Sequence, residues 1–186
     1  MTGDRWEALF ADLEGEFSAA AAADLRSEVA DRTRREYAAL RLVDRLRPAL
    51  DHYVRLVLPA EILVAGRLSD MGSDWLLVAE TNGSALVPLA HVRTVAGLGA
   101  VSAAPGSEGR VAAALDLRHA LRRLARDRAE VVLTTVDRIV VSGTLDRIGA
   151  DFVEIAEHRP GEPRRKGSVR QVLTVPIAAI GVVRAG

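Results

Sequence analysis

The chain has 186 residues, of which 49% are hydrophobic and 27% charged, and its 25 basic residues balance 25 acidic ones. These proportions are typical of a soluble folded protein with room for one or two small domains, and they exclude a collagen or a disordered chain. The sequence has no cysteine, which excludes disulfides and thiolate chemistry. No apolar run reaches the roughly 18 residues that a membrane-spanning helix needs. The N-terminus is acidic and does not resemble a secretory signal, so we expect a cytoplasmic protein without membrane contact.

Basic residues are distributed unevenly along the chain. Residues 111–186 carry 13 basic and 9 acidic groups, whereas residues 1–50 carry 8 and 10. Lys166 is the only lysine among the 25 basic residues, a usage that, together with the abundance of alanine, is typical of a bacterium with a GC-rich genome. A net charge of zero does not indicate a strongly basic nucleic-acid-binding protein. Only the C-terminal part is locally basic.

Residues 1–48 are predicted to form an N-terminal helical segment. Apolar side chains recur along one helical face at Trp6, Phe10, Leu13 and Phe17. Pro48 ends the segment because it lacks an amide hydrogen and clashes with the preceding turn. The segment forms one helix, or two if Gly15 divides it. Its apolar stripe either packs on the rest of the chain or binds a protein partner through residues 4–46, with dimerisation of the chain as the expected outcome.

Residues 49–98 are predicted to contain about five short strands. Apolar and polar side chains alternate from Tyr53 onward, and a period of two residues is typical of strands with one buried face. The Asn-Gly pair at 82–83 is a strong hairpin signal, because both residues tolerate positive φ. Short strands joined by tight turns indicate a small barrel or sandwich.

Residues 99–110 are rich in glycine, alanine and serine and are predicted to be a linker. A helix follows, because Leu117, Leu121 and Leu124 stand at i, i+4 and i+7. Strands resume at Glu130. Residues 111–186 therefore repeat the order of helix followed by strands.

The second strand region copies the first. Residues 66–75 align with residues 143–152 at an offset of 77, and the Val-Pro pair at 87–88 aligns with the pair at 175–176 at an offset of 88. The second copy therefore holds 11 extra residues in one hairpin. The glycine that opens each aligned segment predicts a strand bend or the close approach of another backbone. The second glycine of each segment, at positions 72 and 149, predicts positive φ in a turn.

The repeated pattern of a glycine-containing strand, an Asp-aromatic pair, a hairpin and a Val-Pro strand resembles the Sm-like family, which includes the Sm proteins and bacterial Hfq. The resemblance covers roughly residues 40–97 and 111–184. It implies an α+β fold in which the N-terminal helical segment precedes two tandem Sm-like (or SH3-like) β-barrels, each made of a helix and five strands. Members typically bind single-stranded RNA, often as rings formed by edge-strand pairing. The Arg-Gly of the second Sm motif and the Tyr-Lys-His of Hfq are absent here.

A basic hairpin is the main candidate site for nucleic acid. Its basic residues are Arg159, Arg164, Arg165, Lys166 and Arg170. They either contact phosphates, which would make binding salt-sensitive, or form a solvated hairpin tip. A continuous positive surface joining this hairpin to Arg118, Arg122 and Arg126 would favour nucleic acid. The resemblance also implies loop contacts at Asp74, Trp75, Asp151 and Phe152. The alternative is that the two aromatics belong to the core and the two acids cap turns.

The sequence lacks the motifs of an enzyme. The four histidines have no metal-ligand spacing, and neither a G-x-S-x-G elbow nor a phosphate-binding loop is present. We expect no catalytic residue, no cofactor and no metal. The first hypothesis is a regulatory, non-enzymatic RNA or single-stranded nucleic-acid binding protein that forms homo-oligomers. The alternative is a protein-interaction scaffold that uses the barrels and the N-terminal helix.

Overall fold

The computed structural model describes residues 15, 25–106, 114–159, 161 and 169–186. The chain divides into two compact units, Met1–Arg41 and Leu42–Gly186. The predicted apolar stripe from Trp6 to Phe17 lies outside the described residues, as do residues 4–14 and 16–24 of the segment proposed for dimerisation. In the described part, no helix is long and apolar enough to cross a membrane.

Helix α1 covers residues 25–38 and is exposed along its whole length. Arg32 and Glu36 form an i,i+4 ion pair at 3.0 Å, which supports the helix by a few tenths of a kcal/mol. The helix ends in a turn at residues 39–41, and helix α2 (Leu42–Leu46) follows. Pro48 lies in a short 3-10 helix, Arg47–Ala49. The segment thus contains separate helices, α1 and α2, and the break between them falls at residues 39–41. Gly15, the position at which a division was expected, has helical backbone.

The described residues of the second unit also form ten strands and a further helix. They are β1 (Tyr53–Val57), β2 (Leu63–Met71), β3 (Trp75–Glu80), β4 (Gly83–Pro88), β5 (Thr94–Ala96), helix α3 (Leu117–Asp127), β6 (Glu130–Thr135), β7 (Val140–Ile148), β8 (Phe152–Glu157), β9 (Gln171–Pro176) and β10 (Ile180–Ala185). The strands form one antiparallel sheet in the order β5-β1-β2-β3-β4-β10-β6-β7-β8-β9. The α+β class and the predicted strand regions are therefore confirmed.

The expectation of two β-barrels is not met, because the described strands form one open sheet. β4 pairs with β10, with Leu86 opposite Val183, and this pairing joins the two strand regions into a single sheet. Among the described strands, β5 and β9 are open edges, and no pairing closes either half. The alternation of apolar residues specifies which face of a strand is buried. It does not specify which neighbour satisfies the backbone groups at a strand edge.

The two halves of the sheet have equivalent strand orders, β5-β1-β2-β3-β4 and β10-β6-β7-β8-β9. The close backbone approach predicted at the matched glycines is present. A Cβ atom on Gly66 would lie 2.1 Å from the carbonyl oxygen of Ala79, and one on Gly143 would lie 2.1 Å from that of Ala156. Only glycine fits at these two points, because the neighbouring strand crosses too closely for a side chain.

Two hydrophobic cores lie in the second unit, one for each half of the sheet. Leu46 and Ala49 pack into the first core, and Leu117 and Leu121 of α3 pack into the second. The cores also exchange residues across the β4–β10 pairing, which we call the seam. Trp75 and Leu86 of the first half belong to the second core, and Val182 of the second half belongs to the first. Separating the halves would therefore expose apolar surface from both cores.

Polar contacts add to the seam. Arg184 Nε lies 2.8 Å from Glu80 Oε2, and Arg184 Nη2 donates to the carbonyl of Leu63 at 3.0 Å. His91 Nδ1 donates to the carbonyl of Ile180 at 2.8 Å. These contacts join the two halves across the seam in addition to the backbone pairing.

The predicted linker is held against α2 where it is described. Arg45 donates to the carbonyls of Gly99 at 2.7 Å and of Ala100 and Val101 at 3.0 Å each. Ala103 N donates to the carbonyl of Asp44 at 2.8 Å. Residues 99–106 are irregular, as predicted, but this one guanidinium organises their backbone.

The close approach of Ala79 to Gly66 gives the first testable prediction. Gly66→Ala is expected to lower the free energy of unfolding by about 1–3 kcal/mol or more, as overpacking usually does, because the strand contacting Gly66 must move. Urea denaturation followed by circular dichroism measures the change. Gly99→Ala is the control, since a Cβ there meets nothing within 4 Å. Equal stability of the two variants would contradict the proposed requirement for glycine at position 66.

Candidate functional site

Asp74 and Trp75, two of the predicted loop contacts, hold the start of α3. Asp74 Oδ1 accepts a hydrogen bond from Leu117 N at 2.7 Å. Trp75 is 7% exposed, and its Nε1 donates to the carbonyl of Leu115 at 3.0 Å. Ser73 N donates to the same carbonyl at 3.2 Å. These residues therefore orient a helix that lies more than forty positions later in the chain.

Asp151 and Phe152 occupy the equivalent position in the second half. The carbonyl of Asp151 accepts from Ile177 N at 2.7 Å, as the carbonyl of Asp74 accepts from Leu89 N at 2.8 Å. Asp151 is exposed and Phe152 is half-buried.

Gly72 and Gly149, which precede Trp75 and Phe152, have a structural role that differs from the predicted turn with positive φ. Neither Gly72 nor Gly149 is among the described glycines with positive φ. A Cβ on Gly72 would lie 2.1 Å from Trp75 Nε1, and one on Gly149 would lie 2.4 Å from the ring of Phe152. The prediction of positive φ was wrong. Glycine is required here because the aromatic ring packs directly on the turn.

The basic hairpin is described only at its two ends. Arg164, Arg165 and Lys166 lie outside the described residues, and Arg159 and Arg170 are exposed. The chain at both ends is fixed by hydrogen bonds. Arg170 N donates to the carbonyl of Glu157 at 2.9 Å, and His158 Nδ1 donates to the carbonyl of Arg159 at 3.1 Å.

His158 is a buried polar residue whose role the sequence reasoning missed. Its side chain is 3% exposed, and its Nε2 lies 2.9 Å from Thr144 Oγ1. Nδ1 donates to a carbonyl, and Nε2 forms a hydrogen bond with the threonine hydroxyl, so both ring nitrogens have partners. The imidazole thus connects β7 to the base of the hairpin. No sequence signal marks this role, since the partners are fourteen positions apart on adjacent strands.

Helix α3 presents a cationic surface that we call the arginine face, formed by Arg122, Arg123 and Arg126. All three side chains are exposed. None of them forms an ion pair with another described residue, whereas Arg118 on the same helix pairs with Asp116 at 2.6 Å. Spacings of three and four residues put these arginines on neighbouring positions of the helix surface. The sequence had marked Arg122 and Arg126 only as an extension of the hairpin.

The N-terminus of α3 is fixed by Asp116. Its carboxylate accepts from the backbone N of His119 at 3.0 Å and from Arg118 Nη2 at 2.6 Å. His119 Nδ1 lies 2.7 Å from the same carboxylate. Burial alone would raise the pKa of Asp116, but the hydrogen bonds from Arg118 and His119 outweigh it and lower the pKa from 3.8 to about 2.

An apolar groove of about 390 Å³, which we call the seam groove, lies between α3 and the sheet. Its apolar lining combines both halves of the sheet with the helix and includes Trp75, Leu77, Leu86, Val183, Ala120 and Leu124. Polar residues at its edge are Asp70, Ser84, His119, Arg123 and Asp127. Arg123 therefore belongs both to the arginine face and to the groove.

The described residues contain no cluster of three or more His, Asp or Glu side chains suited to a metal ion. Comparison with protein families, with curated proteins and with solved structures found no match to this chain. The candidate site therefore consists of the arginine face, the seam groove and the ends of the basic hairpin, and its interpretation depends on their geometry.

The lowered pKa of Asp116 gives the second prediction. Because the folded-state pKa is below that of the unfolded chain, the charged carboxylate stabilises the fold above about pH 5, and this contribution disappears as the pH falls toward about 2. Asp116→Asn keeps a capping side chain but removes the charge. It is expected to cost about 1–2 kcal/mol at neutral pH and little near pH 2.

Urea denaturation of both proteins across this pH range measures the difference. Asp137→Asn changes an exposed carboxylate and serves as the control, for which a small difference is expected at every pH. A cost for Asp116→Asn that stays constant from neutral to acidic pH would contradict the assignment.

Proposed function

We propose that the chain is a non-enzymatic, regulatory protein of Sm-like type that binds RNA or other single-stranded nucleic acid through the arginine face of α3 and the basic hairpin. The observation that carries this proposal is the arginine face itself. Three exposed guanidinium groups on neighbouring positions of one helix form no ion pair with any described carboxylate. Guanidinium groups bind phosphate oxygens with two parallel hydrogen bonds, and most of the binding energy of such surfaces comes from phosphate contacts.

The Sm-like assignment is supported by the strand order of each half. In both halves the last strand returns beside the first, since β5 pairs with β1 and β10 pairs with β6. Each half has its own core, and a helix before the strands packs into it. A five-stranded unit preceded by a helix is the arrangement that the resemblance implied. On this proposal the seam joins two such units in one chain.

Phosphate contacts rather than base stacking are expected to dominate the affinity. Aromatic residues make up 4% of the chain, and Trp75 is 7% exposed with its Nε1 already bonded. Nonspecific single-strand binding usually relies on exposed aromatic platforms as well as charge. We therefore expect salt-sensitive binding with modest discrimination between sequences.

The scaffold hypothesis remains the second candidate, and α1 is the observation that favours it. Leu25, Val29 and Tyr37 are 62%, 56% and 63% exposed, so α1 presents apolar surface that a protein partner would cover. They lie within residues 4–46, the segment expected to bind a protein. On this hypothesis the helix binds a partner, and the chain binds no nucleic acid.

Homo-oligomers are proposed to form through the open edges of the sheet. At the seam, β4 pairs with β10. In the order of each half, β9 is the strand equivalent to β4, and β5 is the strand equivalent to β10. Among the described strands, β9 and β5 are the free edges. An edge strand presents unpaired backbone groups that can pair with another chain. Because the two edges differ, such pairing is head-to-tail, and it builds a ring when the rotation between chains closes.

The third prediction concerns the arginine face. Replacing Arg122, Arg123 and Arg126 with serine should remove up to three phosphate contacts. The slope of log K against log salt for single-stranded RNA should then become about 2 units shallower, since each contact contributes about 0.7. Filter binding of a mixed single-stranded RNA pool across a salt series measures the slope.

The matched control replaces Arg55, Arg67 and Arg93, three exposed arginines of the first half, with serine and should leave the slope nearly unchanged. Replacing Arg164, Arg165, Lys166 and Arg170 with serine tests the hairpin separately, with an expected decrease of up to about 3 units. If the unsubstituted protein binds no RNA at low salt, the nucleic-acid proposal is wrong and the scaffold hypothesis takes its place.

The fourth prediction concerns the open edge at β9. Ile177 N donates to the carbonyl of Asp151, so the alternation of an antiparallel pair directs the N–H of Thr174 away from β8, toward solvent. Thr174→Pro removes that donor and is compatible with an edge strand. It should convert the oligomer to the monomeric chain, as measured by light scattering.

Thr174→Val keeps the N–H and should keep the oligomer. Circular dichroism and urea denaturation establish that both variants retain the fold. A monomeric unsubstituted protein at tens of micromolar would refute edge pairing, and so would an unchanged mass for Thr174→Pro.

A further inference from the structure

The seam groove adjoins the arginine face, and the two surfaces share a residue. Arg123 and His119 line the groove and also border the surface that contains Arg122 and Arg126. The groove volume of about 390 Å³ is within the range of small-molecule sites, which are mostly apolar with a few polar groups at the edge. A ligand in this groove would therefore meet an apolar interior and, directly beside it, a cluster of three cations.

The sides of the groove suit a flat ring. Leu77 and Leu86 provide apolar surface from the first half of the sheet, Val183 from the second, and Ala120 and Leu124 from the helix opposite. Trp75 lines the groove without offering its polar atom, because Nε1 is bonded to the carbonyl of Leu115. The interior thus provides apolar contact and no strong hydrogen-bonding partner.

Two carboxylates at the edge of the groove add hydrogen-bond acceptors. Asp70 and Asp127 are exposed, and neither forms an ion pair with a described residue. Asp70 Oδ1 accepts from the backbone N of Met71 at 2.8 Å, which orients its carboxylate. An ionised carboxylate accepts hydrogen bonds only, so it favours a ring that carries an amino group.

We propose that the seam groove binds one unpaired, amino-bearing base of a nucleic acid whose flanking phosphates contact the arginine face. This inference rests on the proposed function and adds a base-binding site to it. Charge complementarity favours a nucleotide over an apolar side chain of a protein, because Arg123 lines the groove and Arg122 and Arg126 lie on the surface that adjoins it. Recognition of splayed-out bases by their faces and edges is the usual mode for single strands.

Oligonucleotides with and without bases test this proposal. The probes are a short oligoadenylate, an oligouridylate and an abasic oligonucleotide of the same length and charge, and fluorescence anisotropy measures their dissociation constants. Oligoadenylate should bind about tenfold more tightly than the abasic strand, since burying one base against protein typically gives an effect of this order. Oligouridylate, whose base has no amino group, should lie between the two.

Filling the groove provides the matched variant. Ala120 is half-buried and lines the groove, and leucine retains high helix propensity there. Ala120→Leu should remove the preference for oligoadenylate and leave the affinity for the abasic strand unchanged. Ala178→Leu makes the same substitution at an exposed position outside the groove and should preserve the preference.

Trp75 provides a second readout that does not depend on the groove-filling variant. The chain has two tryptophans, so Trp6→Phe leaves Trp75 as the only one. Oligoadenylate should change the fluorescence of Trp75, and the abasic strand should not.

The outcomes separate this inference from the proposed function. Equal affinity for all three strands, or unchanged Trp75 fluorescence on binding, would refute the base site while keeping phosphate binding by the arginine face. Absence of binding to every strand at low salt would refute the proposed function itself.

Discussion

The hydrogen-bonded pairing of β4 with β10 is the interaction on which residues 42–186 depend. It joins two five-stranded halves into one sheet and brings Leu86 and Val182 each into the core of the opposite half. It also forms the base of the seam groove, since Leu86 and Val183 lie opposite each other there. Backbone pairing and apolar burial act together at the seam, so a loss of either would expose surface from both cores.

The two halves share their strand order but differ in the contacts that form at the ends of their strands. In the first half, Asp74 and Trp75 fix the start of α3, a helix that packs in the second core. In the second half, the hairpin between β8 and β9 is longer than the one between β3 and β4. The candidate binding surfaces therefore lie where the two halves of the sheet differ.

The side chains of the arginine face take little part in the contacts that stabilise the fold. Leu117 and Leu121 anchor α3 in the core, and Asp116 caps it, whereas the arginine side chains extend into solvent. Substitutions of these arginines should therefore change the stability of the fold by less than about 0.5 kcal/mol, as exposed substitutions usually do.

The sequence by itself determined the features that depend on local pattern. Alternation of apolar residues located the strands, the spacing of Leu117, Leu121 and Leu124 located α3, and the offset of 77 identified Gly66 and Gly143 as equivalent. Only the tertiary structure decided which edges pair, why Gly72 and Gly149 are glycines, and that Trp75 contacts Leu115. These features join residues far apart in the chain, and periodicity records the buried face of an element but not the partner that covers it.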